Sequence, residues 1–368
     1  MALALQAAAA APLVLRQRDD RRPRLLLAED CDPVRIVTAA MLKGMGCDVD
    51  AVVHGEEAVR SACVRSFDVI VLDIEMPNMD GLTALPHLRR LAPDARIVMA
   101  STLTTQGAQQ TVKALSLGAA DFIAKPQASA MGGVDSYRRD LIDKIVALGQ
   151  RAGLSRSGTA QSRPFNLRPR SPVLAPASVL VIAASTGGPS ALPVFLGPIA
   201  RRIEVPILIV QHMPATFTPV FAEKLESVIG KRCREAVDGD VLAPGCVFLA
   251  PGDKHMRVAR GPAGRIVTLD RGEPVNFCRP AADPLFESAA AAFGNRVLGV
   301  VLTGMGHDGR DGAGHVVKAG GRIIAQDEAT SVVWGMPGAV AAAGHAEAVK
   351  PLKDLGALAL RMLNGEAA

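Results

Sequence analysis

No Cys-x-x-Cys pair occurs among the six cysteines, Cys31, Cys47, Cys63, Cys233, Cys246 and Cys278, and none belongs to a close histidine cluster. That argues against a structural metal site and a disulfide framework, and makes reduced thiols in a cytoplasmic protein the expectation. Nor does any run approach the roughly 20 apolar residues that a membrane-crossing helix requires. The Ala-rich start, Met1 to Leu15, has no basic residue before its apolar part and meets Arg16-Gln17-Arg18-Asp19-Asp20 soon after. It does not read as a secretory signal, and residues 1–23 are expected to be a disordered extension. A broad basic face is missing too. Residues 24–127 carry 10 basic and 13 acidic side chains, residues 128–177 carry 8 and 3, and residues 178–368 carry 19 and 18. The net charge of +5 therefore resides in a connecting segment and the first residues, which argues against nucleic acid as a partner.

What the 368 residues do contain is apolar strand-like runs alternating with helical stretches, in a length that suits two domains. In the first half the runs are Arg24–Ala28, Asp48–Val53, Phe67–Leu72, Ala95–Ala100 and Ala120–Ala124. Helix signals lie between them, such as Asp32-Pro33 ahead of Val34, Val37, Met41 and Leu42. This alternation predicts a doubly wound parallel sheet. Residues 128–177 change character: Asp140–Leu148 reads as a short amphipathic helix, and Arg151–Pro176 as a linker of Arg, Ser, Gly and Pro. A second alternating unit follows, with strands expected at Val179–Ala184, Pro206–Val210, Cys246–Ala250, Arg265–Leu269, Val297–Leu302 and Arg322–Ala325.

The notable polar residues of the first half fall at strand carboxyl ends: Glu29, Asp30, Asp73, Ser101 and Lys125. In a doubly wound sheet those ends share one edge. Carboxylates brought together repel, and a hard divalent cation held by oxygens resolves the repulsion. A lysine and a hydroxyl beside them suit a phosphoryl group. On these residues, Arg24 to about Gln127 resembles a response-regulator receiver domain of flavodoxin-like fold. The resemblance implies that Asp73 accepts a phosphoryl group from a histidine kinase. It further implies that Mg²⁺ is held by Glu29, Asp30, Asp73 and the backbone carbonyl of Glu75, and that Ser101 and Lys125 form the switch.

In the second half, Ser185 follows one strand, Gln211-His212-Met213-Pro214 the next, and Thr303-Gly304-Met305-Gly306-His307-Asp308-Gly309 a later one. A serine hydroxyl needs a base to take its proton, and the base needs a third group to hold its tautomer. Ser185, His212 and Asp308 can supply that set, with His307 a rival base ranked lower because neighbours in a turn point apart. The same Gly304-x-Gly306-x-x-Gly309 also fits a dinucleotide-binding turn, with Asp327 further on, so a nicotinamide-binding protein is the alternative. A non-catalytic receptor adaptor is a third.

Five stretches then carry a second resemblance: Ala184-Ser-Thr-Gly-Gly-Pro189, Gln211-His-Met-Pro214, Arg279-Pro-Ala-Ala-Asp283, Leu302-Thr-Gly-Met-Gly306 with Asp308-Gly309, and Ala325 to Pro337. Residues 178–368 are similar to the catalytic domain of CheB-type protein-glutamate methylesterases, a Rossmann-like α/β domain joined to an N-terminal receiver. The resemblance implies Ser185 as nucleophile, His212 as base and Asp308 as orienting carboxylate, with Met305 and Thr186 in the oxyanion or supporting set. It implies methyl-accepting chemotaxis receptors as substrate, deamidation of receptor glutamines, no cofactor in the esterase domain, a cytoplasmic monomer, and a receiver that covers the esterase site until it is phosphorylated.

Overall fold

The inner strands of both sheets are short runs rich in Val, Ile, Leu and Ala that are buried on both faces, the pattern of parallel strands covered by helices. The computed structural model describes residues 16–17, 22–125, 133–149, 154–155, 167–168 and 175–367. By proximity the chain divides into two compact units, residues 1–102 with 122–160, and residues 103–121 with 161–368.

The first sheet contains β1 (Arg24–Ala28), β2 (Asp48–Val52), β3 (Val69–Asp73), β4 (Arg96–Ser101) and β5 (Asp121–Ala124), in the order β2-β1-β3-β4-β5. The helices in the chain between them are α1 (Asp32–Gly44), α2 (Gly55–Val64), α3 (Gly81–Leu91) and α4 (Thr105–Ser116). Three of the four starts carry a side-chain cap, from His54, Asp80 and Thr104. The order reverses between β1 and β3, which puts the β1 and β3 carboxyl ends beside the crevice where such sheets bind ligands.

A fifth helix, α5 (Gly133–Gly149), is longer than the expected Asp140–Leu148. It buries Tyr137, Leu141, Ile145, Val146 and Leu148, and the Tyr137 hydroxyl lies 3.4 Å from Thr38 Oγ1 on α1. Residues 133–149 fall in the first unit. The start of this helix was hidden by the Ala- and Gly-rich stretch before it. Arg16–Gln17 pairs antiparallel with Leu154–Ser155, so part of the expected disordered extension is ordered. The rest of residues 1–21, and most of the expected linker, lie outside the described residues.

The second sheet has seven parallel strands: β6 (Val179–Ala184), β7 (Ile207–Gln211), β8 (Cys233–Glu235), β9 (Val247–Leu249), β12 (Val297–Val301), β13 (Arg322–Gln326) and β14 (Ala348–Lys350). Their order is β8-β9-β7-β6-β12-β13-β14, with β6 at the centre between β7 and β12. The strand expected at Arg265–Leu269 is instead half of a separate antiparallel hairpin, β10 (His255–Gly261) with β11 (Gly264–Asp270). Arg257 and Arg260 interrupt the apolar pattern of β10 and hid it. The helices are α6 (Gly188–Leu196), α7 (Thr218–Ile229), α8 (Ala282–Phe293), α9 (Arg310–Lys318), α10 (Met336–Ala342) and α11 (Leu352–Leu363). Phe286, Leu285 and Ala289 of α8 pack with Val181, Ala183 and Val301 in one apolar cluster.

Candidate active site

The chain leaves β6 through Ser185-Thr186-Gly187 and enters α6. Gly187 stands at φ +80°, and a Cβ there would sit 2.6 Å from Val332 Cβ, so the turn needs glycine. The turn is tied to its neighbours at both sides. Ser185 N–H donates to Thr303 O at 3.1 Å, and Gln211 Nε2 donates to the carbonyls of Ser185 at 3.0 Å and His212 at 3.1 Å. The Thr303 hydroxyl reaches Thr186 O at 2.9 Å and Val333 O at 3.1 Å. Gly304 lies against this turn: a Cβ there would meet Met336 Sδ at 2.3 Å and Ser185 Cβ at 2.9 Å.

Because β6 pairs with β7 and β12, the turns after these three strands share one sheet edge. His212 and Asp308 meet there, with Nε2 to Oδ2 at 2.7 Å. Asp308 is buried and its carboxylate is fully employed. Oδ2 also accepts from Ala282 N–H at 2.6 Å, while Oδ1 accepts from Asp283 N–H and Asn276 Nδ2, each at 3.1 Å. Burial alone would raise its pKa, but the hydrogen bond and charge of His212 with the two N–H groups hold it down at about 2. On the other ring nitrogen, His212 Nδ1 faces Cys278 Sγ at 3.4 Å. Burial disfavours the imidazolium, yet Cys278 and Asp308 outweigh it and push the His212 pKa up to about 10.

Ser185 stands half-buried on the same edge, and among the described residues its hydroxyl makes no hydrogen bond to His212. His307 is exposed, and among the described residues its ring makes no hydrogen bond to this set. Thr186 is buried under the Thr303 contact. Met305 follows the close-packed Gly304, and its N–H has no hydrogen-bond acceptor among the described residues. The His212 N–H is taken by Ala184 O at 3.1 Å, so it is not available as an oxyanion donor.

Sequence reasoning missed three residues here. Gln211 ties the turns together, and its only signal was its place beside His212. Asn276 braces Asp308 and also donates to Asp283 Oδ2 at 2.8 Å. Cys278, read as an ordinary reduced thiol, contacts the imidazole from 66 residues away. The nicotinamide alternative finds no support. Its glycine turn follows β12, a late strand of this sheet where such a turn usually follows the first, a Cβ at Gly304 would collide with Met336 and Ser185, and Asp308 is engaged by His212.

In the first unit, Glu29, Asp30 and Asp73 bring one carboxylate oxygen each to within 4.8 Å of one another. Lys125 Nζ bridges Asp73 at 2.6 Å and Glu29 at 2.9 Å. Burial, followed by the charge of Glu29, raises the Asp73 pKa to about 7 against the pull of Lys125. Burial works against the Lys125 ammonium, but Asp73 and Glu29 raise its pKa overall. Ser101 is buried at the end of β4, with Oγ 3.3 Å from Thr102 O. Glu75 is exposed, and its N–H donates to Asp73 Oδ1 at 3.4 Å.

Two parallel α/β domains, one with an acidic edge bridged by lysine and one with a His-Asp pair beside a strand-end serine, define a response regulator joined to a hydrolase-type domain. The family models for the response regulator receiver domain and for CheB methylesterase match residues 25–131 and 180–359. A protein-glutamate methylesterase/protein-glutamine glutaminase 2 of Caulobacter vibrioides is 52% identical over 335 residues, covering 90% of this chain and 96% of that protein. A protein-glutamate methylesterase/protein-glutamine glutaminase of Azospirillum brasilense is 46% identical over 360 residues, covering 88% and 91%. The crystal structure of the Thermotoga maritima CheB methylesterase catalytic domain is 36% identical, covering 50% of this chain and 98% of that one, with a TM-score of 0.49. The chain belongs to the CheB methylesterase family, in the form that carries an N-terminal receiver.

Proposed function

We propose that the protein is a phosphorylation-regulated protein-glutamate methylesterase that acts in the cytoplasm on methyl-accepting chemotaxis receptors. The observation that carries this reading is the 2.7 Å bond from His212 Nε2 to an Asp308 carboxylate held by three further donors. With Nε2–H committed to Asp308, Nδ1 is the nitrogen that can take a proton, and Ser185 is the hydroxyl on the same sheet edge. Ser185 Oγ attacks the γ-carboxyl carbon of a glutamyl methyl ester as His212 takes its proton. The Met305 N–H supports the oxyanion, and such donors contribute roughly 3 kcal/mol each to lowering a barrier. His212 returns the proton to methanol, and water then hydrolyses the acyl-enzyme to glutamate. The same steps on a glutamine side chain release ammonia. His212 acts as a base only while its imidazole is neutral.

Asp73 is the phosphoryl acceptor, served by a histidine kinase. The oxygen donors Glu29, Asp30 and Asp73, with the Glu75 carbonyl, suit Mg²⁺, a hard cation that neutralises phosphoryl oxygens when bound. Lys125 offers a second positive group to the phosphoryl oxygens, and the Ser101 hydroxyl a hydrogen bond.

The test is methanol release from methylated receptors, with and without a small-molecule phosphodonor. Release should rise with the donor in the wild type, stay at the basal rate in Asp73→Asn, and vanish in Ser185→Ala with the fold retained. Undiminished release by Ser185→Ala refutes the esterase assignment.

A further inference from the structure

The two nitrogens of His212 have different neighbours. Nε2 is held by Asp308, and Nδ1 faces a sulfur at 3.4 Å. Cys278, His212 and Asp308 therefore repeat the sequence thiol, imidazole and carboxylate that activates sulfur in thiol-dependent enzymes. The thiol is held there by a demanding backbone. Cys278 exchanges both backbone hydrogen bonds with Val275, at 2.9 and 3.1 Å. Between them Asn276 and Phe277 stand at φ +52° and +62°, a left-handed conformation that is uncommon in residues other than glycine and costs most at the bulky Phe277. Asn276 spends its side chain on Asp283 and Asp308, and Phe277 is 94% exposed, so the turn is open to solvent beside the thiol. Cys278 itself is partly exposed, whereas Cys47 and Cys233 are buried.

We propose that Cys278 is an oxidant-reactive site whose modification by hydroperoxides silences the esterase. The inference rests on the reading of His212 as the base that serves Ser185. Pairing with the imidazolium stabilises the thiolate, the form that attacks. The sulfur attacks one peroxide oxygen, an S–O bond forms and the O–O bond breaks. Sulfur is oxidised to the sulfenic acid, and the departing hydroxide, or alkoxide from an organic hydroperoxide, takes a proton and leaves as water or alcohol. The added oxygen lies against Nδ1 and removes the base from service. A thiol reductant reverses the step through a mixed disulfide.

The full chain is treated with hydrogen peroxide. Methanol release and trapping of Cys278 by a sulfenic-acid reagent are followed together by mass spectrometry. Activity should fall in proportion to modification at Cys278 and return with dithiothreitol. Cys278→Ser should keep through the same treatment whatever activity it has beforehand. His212→Gln should slow trapping at Cys278 severalfold, because the ring nitrogen that faces the sulfur at 3.4 Å and can carry a positive charge is gone. Ser185→Ala separates this proposal from the esterase reading, because trapping persists there whether or not release is lost. Inactivation that is unchanged in Cys278→Ser, or trapping at Cys278 no faster in the wild type than in His212→Gln, overturns the proposal.

Discussion

Replacing Asp308 by asparagine changes one atom and keeps the volume, yet all four of its hydrogen-bond positions expect an acceptor. Oδ2 takes Ala282 N–H and His212 Nε2–H, and Oδ1 takes Asp283 N–H and Asn276 Nδ2. An amide offers one acceptor oxygen, so its NH₂ must oppose one of these two pairs of donors. Facing His212, it forces the tautomer with the proton on Nδ1, which cannot accept from serine. Facing Asp283 and Asn276, it preserves the tautomer but removes the negative charge that stabilises the imidazolium. By analogy with other serine hydrolases, the first orientation costs about 10⁴-fold in turnover. Either leaves at least one buried N–H unsatisfied, at about 1–3 kcal/mol. The pH dependence separates charge from shape. The depressed pKa of about 2 means that the ionised carboxylate favours the folded state above the ordinary aspartate pKa near 4. This contribution, about 2 kcal/mol, fades as pH falls from about 4 to about 2 in the wild type, and Asp308→Asn lacks that decline. Methanol release at neutral pH and urea unfolding at several acidic pH values measure both effects. A variant within tenfold of wild-type turnover would refute the orienting role of Asp308.

Gly304→Ala drives a methyl group against Met336 Sδ and the Ser185 turn, and overpacking of this kind costs about 1–3 kcal/mol. Calorimetry of the full chain should show the transition of the second unit lowered by about 4–8 °C for a 2 kcal/mol loss, and an unchanged transition contradicts the packing account. Arg322 and Glu347 form a buried ion pair at 2.9 Å between β13 and the approach to β14. Glu347→Ala leaves the guanidinium uncompensated and should destabilise the second unit by about 3–5 kcal/mol, read by urea unfolding. A change below 1 kcal/mol would mean that the Arg322 bond to Glu366 O suffices alone.

The strands that lead to the candidate site residues were legible because each is a short Val-, Ile- and Leu-rich run ending abruptly at a polar residue. That pattern located Ser185, His212 and Asp308, and in the first unit Glu29, Asp73, Ser101 and Lys125. It worked less well where charge interrupts an apolar run, as Arg257 and Arg260 do in β10. It gave no help with Asn276 and Cys278. Their segment has neither helical nor strand periodicity, and their partners are 32 and 66 residues away. Such contacts follow from the strand order, which a lone sequence does not display.

The same strand order governs when the protein can become active during its synthesis. The ribosome releases β6 and β7 early, so Ser185 and His212 can pair their strands well before Asp308 exists. Until Val297–Val301 emerges, the central strand β6 keeps one edge open, offering unpaired backbone groups to any neighbouring chain. Adding β12 closes that edge and delivers Asp308 in the same event. A nascent chain that ends before β12 therefore lacks Asp308 for as long as that edge of β6 is open, and the outer edge of β12 is in turn covered only by β13.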